Sequence, residues 1–183
     1  MKNLFPIVKL TIITLVLFAG IYPLTVFGIA QFAPNHGKGE TIVLNDKTVG
    51  YRRIGQEFNQ SNYFWGRPSA VNYNAAGSAG SNKGPSNAEY LALVQKRIDT
   101  FLMAHPYLKK SEIPSDMVTA SGSGLDPDIS VEGAKIQIKR IATVRKIDES
   151  KIRKLVSDHI EKSVFGPEKV NVLELNLALN KLQ

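Results

Sequence analysis

The sequence predicts an α+β fold: a single membrane-spanning helix near the N-terminus, then one small extracytoplasmic α+β domain. Three observations predict it. Between Lys9 and Lys38 there is no Lys, Arg, Asp or Glu, and residues 10–30, LTIITLVLFAGIYPLTVFGIA, are almost wholly apolar. At ~1.5 Å rise per residue, about 20 such residues cross a ~30 Å hydrocarbon core, and no second run of this kind follows. The ~150 residues left behind the apolar run suffice for one compact core and fall short of two. Within them, short β-branched runs alternate with apolar stripes at helical spacing.

The boundaries read as a short cytoplasmic N-terminus at 1–9, an anchor helix at 10–33 and a soluble domain at 34–183. In the anchor, Thr11, Thr14 and Thr25 can bond back to carbonyls of the preceding turn, and Pro23 leaves a carbonyl free, which predicts a kink. Ala19, Gly20, Gly28 and Ala30 are small enough for a second helix to approach closely. A secretory signal is the competing reading, with Gly28-Ile29-Ala30 as its cleavage site, but a signal's apolar core is about 7–15 residues. Lys2 and Lys9 favour an N-terminus in the cytoplasm, which leaves the domain outside it. The absence of cysteine is compatible with either side.

Behind the anchor, Thr41–Leu44 and residues 48–52 read as strands turning at Asn45-Asp46. Residues 56–84 form a long irregular segment holding Tyr63-Phe64-Trp65-Gly66-Arg67-Pro68, too aromatic for a disordered linker. Ser86 and Glu89 fit a capping box for a helix carrying Leu91, Val94, Ile98, Phe101 and Leu102 on one face and ending at His105-Pro106. Residues 117–120 suit a buried strand, and residues 121–127 a turn-rich segment. Ser130 caps a helix with Ala134, Ile138, Ile141 and Ala142 inward and Lys135, Lys139 and Arg140 outward. Asp148 caps the next, with Ile147 and Ile152 as a hydrophobic staple and the stripe continuing to Gly166-Pro167. A strand at Lys169–Asn171 and a helix from Val172 close the chain.

Catalytic patterns come out poorly. Gly122-Ser123-Gly124 is flanked by Ser121 and Leu125 where a nucleophile elbow needs glycines, so a hydrolase using Ser123, His159 and Asp126 has little support. His36, His105 and His159 share no metal-site spacing, and His159 sits where it meets the carbonyls ending its own helix. Around Gly77, Gly80, Lys83 and Gly84 the order of Lys and Gly is wrong for a phosphate loop. Backbone amides near Gly80, Gly84 and Ser86, or in Ser121, Gly122, Ser123 and Gly124, are the candidates for holding a phosphate. Tyr63, Phe64, Trp65 and Arg67 either stack a ring and grip a carboxylate, or pin their loop to its own domain. The formal net charge of +7 is spread along helices with Asp and Glu interleaved, which disfavours nucleic acid and suits an acidic partner, anionic lipid or plain solvation. Asp126-Pro127 either attracts cations or simply fixes the turn before Ser130. These residues describe a membrane-anchored binding or assembly module without its own catalytic machinery.

Four blocks in this order, YFWGRPSAVNY, GSNKGPSN, VTASGSGLDPDIS and VNVLELNLAL, together with the single span, resemble the C subunit of the Kdp-type potassium-transporting ATPase over nearly the whole chain. The resemblance implies a non-enzymatic, single-pass subunit of a bacterial inner-membrane pump that imports K+ at the cost of ATP, needed for assembly. Its implied partners are a channel-like potassium-binding subunit, a P-type ATPase subunit, a small single-span subunit and membrane lipid. Contact surfaces are expected at Ala19, Gly20, Pro23 and Gly28 in the anchor and at Tyr63, Phe64, Trp65, Arg67 and Asp126 in the domain. No cofactor is held firmly. The alternative implied role is a catalytic chaperone that raises the ATPase subunit's affinity for ATP through a ternary complex with nucleotide.

Overall fold

A computed structural model describes residues 4–182; Lys2, used above for orientation, and Gln183 lie outside the described residues. The chain forms two compact units divided between Thr41 and Ile42. In the first, one helical run covers Leu4–Ala30, beginning ahead of Leu10, with none of its most apolar window buried. It consists of α1 (Leu4–Leu15), a π-helical stretch (Val16–Ile21) and α2 (Tyr22–Ala30). The π-helical stretch stands directly ahead of Pro23, where a kink is expected. Tyr22 N–H bonds Leu17 O, five residues back, so the helix is already widened where the proline removes a donor. Thr11, Thr14 and Thr25 bond back to Ile7, Leu10 and Ile21 at 2.8–2.9 Å, so their hydroxyls are satisfied inside the helix.

From the boundary residue Thr41 onward comes a two-stranded sheet, β1 (Thr41–Leu44) and β2 (Lys47–Tyr51), turning where Asn45 and Asp46 take positive φ of 50° and 60°. A long segment without regular elements then leads to α3 (Ala88–Ala104). Its cap is Asn87 rather than Ser86. The Asn87 side-chain oxygen accepts from Tyr90 N–H at 2.9 Å, and Asn in extended backbone caps at least as well as Ser.

Residues 117–120 are not a strand. Met117, Val118 and Thr119 bond back to Pro114 and Ser115, so the apolar run is a buried turn. The strand lies further on, at β3 (Asp128–Ser130), and leads straight into α4 (Val131–Lys135), capped as expected by Ser130 accepting from Gly133 N–H. The predicted single helix breaks before α5 (Ile138–Arg145). The Gln137 side-chain amide takes Gly133 O at 3.0 Å, and Gln137 N–H tightens onto Ala134 O instead. Asp148 caps α6 (Glu149–Asp158), accepting from Ser150 N–H at 2.7 Å. That helix ends well before Gly166, because Ile160 and Glu161 form β4 (Ile160–Glu161) against β5 (Lys169–Asn171). The α7 helix (Val172–Leu179) follows, with Asn171 as its cap.

The second sheet is antiparallel in the order β3-β5-β4, with Val170 between Ile129 and Ile160. Its Ile129 and Val170 join Ile138, Ile141, Ile152, Val156, Leu175 and Leu179 in one core. Phe101 from α3 and Phe64 from the long segment complete it. Each such side chain contributes about 1.5–3 kcal/mol by leaving water, so the helices hold the sheet and the segment together.

Candidate functional site

The long segment, residues 56–84, is held by side chains reaching from the helices. Backbone outside helices and strands must find partners elsewhere if buried, and here helix side chains supply them. Asn176, on α7 and 1% exposed, pairs with Phe64 like a neighbouring strand: Phe64 N–H donates to Asn176 Oδ1 at 2.8 Å and Asn176 Nδ2 donates to Phe64 O at 3.0 Å. Gln137 does the same for Trp65, accepting at 2.8 Å and donating at 3.2 Å. Arg140 donates to Ser61 O, to Tyr63 O at 3.0 Å and to Gln137 Oε1 at 2.8 Å. Its guanidinium lies 4.5 Å from the centre of the Trp65 ring. The expectation that Arg140 faces outward fails: it is 5% exposed.

Arg140 Nε also donates to His105 Nε2 at 2.8 Å, while His105 Nδ1 lies 2.8 Å from Phe101 O. The second contact needs a proton on Nδ1 and the first needs none on Nε2, so His105 is the neutral Nδ1–H tautomer. Its ring stacks on Phe101 at 4.1 Å and meets Trp65 and Tyr107 edge-on. Burial, with Arg140 adding to it, pushes His105 down from 6.5 to about 4. Unfolded, the imidazole binds its proton near 6.5. Between pH 6.5 and 4 the unfolded chain therefore holds more protons, and the folded domain loses stability as the pH falls through that window. We expect a loss of about 2–3 kcal/mol by pH 4 from this group. Thermal unfolding of the full chain in detergent at pH 7 and pH 4.5, beside His105→Gln, measures it; an equal drop in both proteins assigns the loss to other groups.

The aromatic triplet is thus engaged within the domain. Phe64 is fully buried, Trp65 packs edge-on against Phe101, and Tyr63 lies tilted beside Phe58 with the Arg145 guanidinium over its ring at 4.9 Å. Arg67 pairs with Asp126 at 2.9 Å, and Asp126 also accepts Asp128 N–H at 3.1 Å, which fixes the turn ahead of β3. Both carry side chains about one-quarter exposed. Tyr73 O–H donates to Arg67 O, and burial lifts that hydroxyl to about 12.

The two glycine-rich segments meet. A Cβ at Gly80 would stand 2.8 Å from Gly122 O, and Gly124, at φ +68°, has Ala79 O and Ser69 Oγ against it. Ser121 N–H donates to Pro68 O, Ser69 Oγ to Gly124 O, and Ser78 Oγ to Ser123 O. Gly84 and Gly122 have open space, and Ser86 precedes the Asn87 cap. Ser123 Oγ accepts Leu125 N–H and His159 Nδ1 meets Leu155 O at 2.8 Å. Among the described residues no hydrogen bond joins Ser123, His159 and Asp126. In the anchor, Gly20 and Gly28 have nothing within 4 Å, and Ala19 and Gly20 lie in the π-helical stretch before Pro23.

Between α3 and residues 57–73 lies a cleft of about 450 Å³, with Trp65, Phe101 and Met117 in its wall and Arg67, Lys96 and Arg97 beside them. Lys96 and Arg97 stand out only with the tertiary structure in hand; in the sequence they are two more charges on an amphipathic helix. The same holds for Gln137, Arg140, His105 and Asn176, whose partners are backbone carbonyls and amides that no residue pattern announces.

An apolar helix of membrane-crossing length with a polar α+β unit behind it defines a single-span membrane protein class. Within that class the family profile described as K+-transporting ATPase, c chain, matches residues 4–181. The chain is 70% identical to the potassium-transporting ATPase KdpC subunit of Flavobacterium johnsoniae, covering all of both chains. It is 50% identical to the subunit of that name from Bacteroides fragilis, over all of this chain and 99% of that one. With that of Bacillus cytotoxicus the identity is 42%, over 98% and 96%. The chain belongs to the KdpC family, the c chains of K+-transporting ATPases.

Proposed function

We propose that this chain is the accessory subunit that assembles and stabilises an ATP-driven potassium pump in a bacterial inner membrane, without catalysing a step itself. The observation that carries this reading is the extent of the family likeness, which takes in the anchor and the domain together. The anchor packs in the bilayer against the potassium-binding and ATPase subunits, alongside a small single-span subunit. The domain lies outside the cytoplasm and rests on the potassium-binding subunit near its ion entrance. K+ is the cargo of the complex, and ATP is bound by the ATPase subunit.

Gly20 supports the packing role, since a Cβ added there meets nothing within 4 Å outside its own stretch of helix backbone. We expect Gly20→Leu to leave the subunit folded and membrane-inserted but to strip it from the detergent-purified complex. Retention at wild-type stoichiometry counts against that contact.

Topology decides between this reading and the catalytic chaperone that holds nucleotide at Ser121–Gly124 or Gly80–Ser86. Lys110 is exposed and the chain contains no cysteine, so Lys110→Cys offers a single thiol. We expect a membrane-impermeant maleimide to label it on intact cells. The domain is then parted from cytoplasmic ATP by the bilayer, and any effect on ATP affinity passes through the membrane subunits. Protection until lysis puts the domain beside ATP and makes the chaperone mechanism the leading one.

A further inference from the structure

The cleft beside α3 continues into a second hollow of about 500 Å³, and the two share Ser69, Asn72, Leu93 and Arg97 in their walls. Together they make a groove along one face of α3, touched by residues from Glu89 to Thr100. At ~1.5 Å per helical residue that face is about 16 Å long, the length of about five residues in extended chain.

Its charge is unbalanced. In the second hollow Lys83 and Glu89 pair with each other at 3.2 Å. In the first, Lys96 is exposed and has no ion-pair partner among the described residues. Among the described residues the Arg97 guanidinium donates to Val118 O alone, at 3.3 Å. The one carboxylate in that wall is the exposed Glu57. Arg67 pairs with Asp126 through one terminal nitrogen, and its buried Nε–H has no acceptor among the described residues. Trp65, Leu93 and Phe101 give the same groove an apolar floor, suited to the stem of a side chain that ends in a carboxylate.

We infer that this groove receives an extended acidic segment of another subunit of the pump, with a carboxylate seated between Arg67 and Arg97 and its neighbours lying along Leu93 and Lys96. A peptide is favoured over a lipid headgroup by the elongated shape and by the alternation of apolar and cationic walls along it. The inference rests on the accessory-subunit reading and names the surface through which the domain acts.

The test uses the assembled complex. With p-benzoyl-phenylalanine replacing Leu93, irradiation of the purified complex should give an adduct with another subunit, mapped by mass spectrometry to a segment bearing Asp or Glu. Adding Lys96→Glu should cut the adduct yield about tenfold, as a charge pair becomes a like-charge contact, whereas Lys151→Glu on α6 should leave it unchanged. Unaltered thermal unfolding of Lys96→Glu excludes misfolding as the cause; if it unfolds early, Lys96→Gln replaces it and should show a smaller fall. Adducts only with lipid, with a second copy of this chain or with a segment lacking carboxylates overturn the inference, as does an unchanged yield in the Lys96 variant. No adduct from a complex that retains the chain overturns it and leaves the accessory role standing. Failure of the chain to co-purify with any pump subunit overturns both.

Discussion

Arg140→Met should be among the most destabilising single changes in this domain. Methionine replaces only the apolar stem: the half-buried Tyr63 carbonyl and the buried His105 Nε2 lose a donor, while Gln137 Oε1 keeps Trp65 N–H and the Ser61 carbonyl, on an exposed residue, turns to water. Each orphaned acceptor costs about 1–3 kcal/mol, and with the lost cation contact over Trp65 we expect a loss of about 3–5 kcal/mol. In a chain of this size that lowers the unfolding temperature by roughly 10 °C. Burial lowers the guanidinium to about 10, so it stays charged at neutral pH and its hydrogen bonds are charge-assisted. Arg140→Lys should recover only part of the loss, because an ammonium cannot reach as a fork to Tyr63, Gln137 and His105 while lying over Trp65. Thermal unfolding of the full chain in detergent measures all three proteins. Equal stability of Arg140→Met and wild type would mean that the segment is held by its apolar contacts alone.

Phe64→Ala is the second. Phe64 has no exposed surface and sits in the core, with its backbone paired on both sides to Asn176. Truncation empties a ring-sized volume in rigid surroundings, for which about 3–5 kcal/mol is expected. Phe64 pins residues 56–84, so the loss should be local as well as global: limited proteolysis should cut this segment first, before α5 or α6. Tyr63→Ala, at a half-buried position stacked under Arg145, should cost clearly less. Proteolysis spread evenly over the domain in Phe64→Ala would show that the segment does not loosen as a unit.

These two residues mark how far the sequence reads. Phe64 belongs to a block whose aromatic content excluded a plain linker, yet stacking a ligand and anchoring a loop remained equal choices, because three adjacent aromatics have the same composition in both. Which one holds depends on whether a core waits beneath them, and the core is assembled from Phe101, Leu175 and Ile138, distant in sequence. Arg140 was misread outright. It borders the Ile138 and Ile141 stripe on an otherwise cationic helix, and periodicity assigns such a residue to water. Its acceptors on Ser61 and Tyr63 lie 79 and 77 residues away. The break between α4 and α5 has the same origin, since it follows from where the Gln137 amide finds its partners.

Apart from the family, which a resemblance of sequence blocks supplied, the sequence by itself determined the apolar helix, the caps at Ser130 and Asp148, the turn at Asn45-Asp46, and the last strand and helix. Those features rest on hydropathy, side-chain-to-backbone bonds over two or three residues, and local backbone preferences, all of which are written in consecutive residues. Only the tertiary structure decided the second sheet's β3, the Asn87 cap, the burial of His105, Gln137, Arg140 and Asn176, and the cationic groove beside α3. The physical reason is common to the larger of these: a polar side chain goes inside only when distant backbone stands ready to satisfy it, and that geometry exists only once the chain has closed on itself.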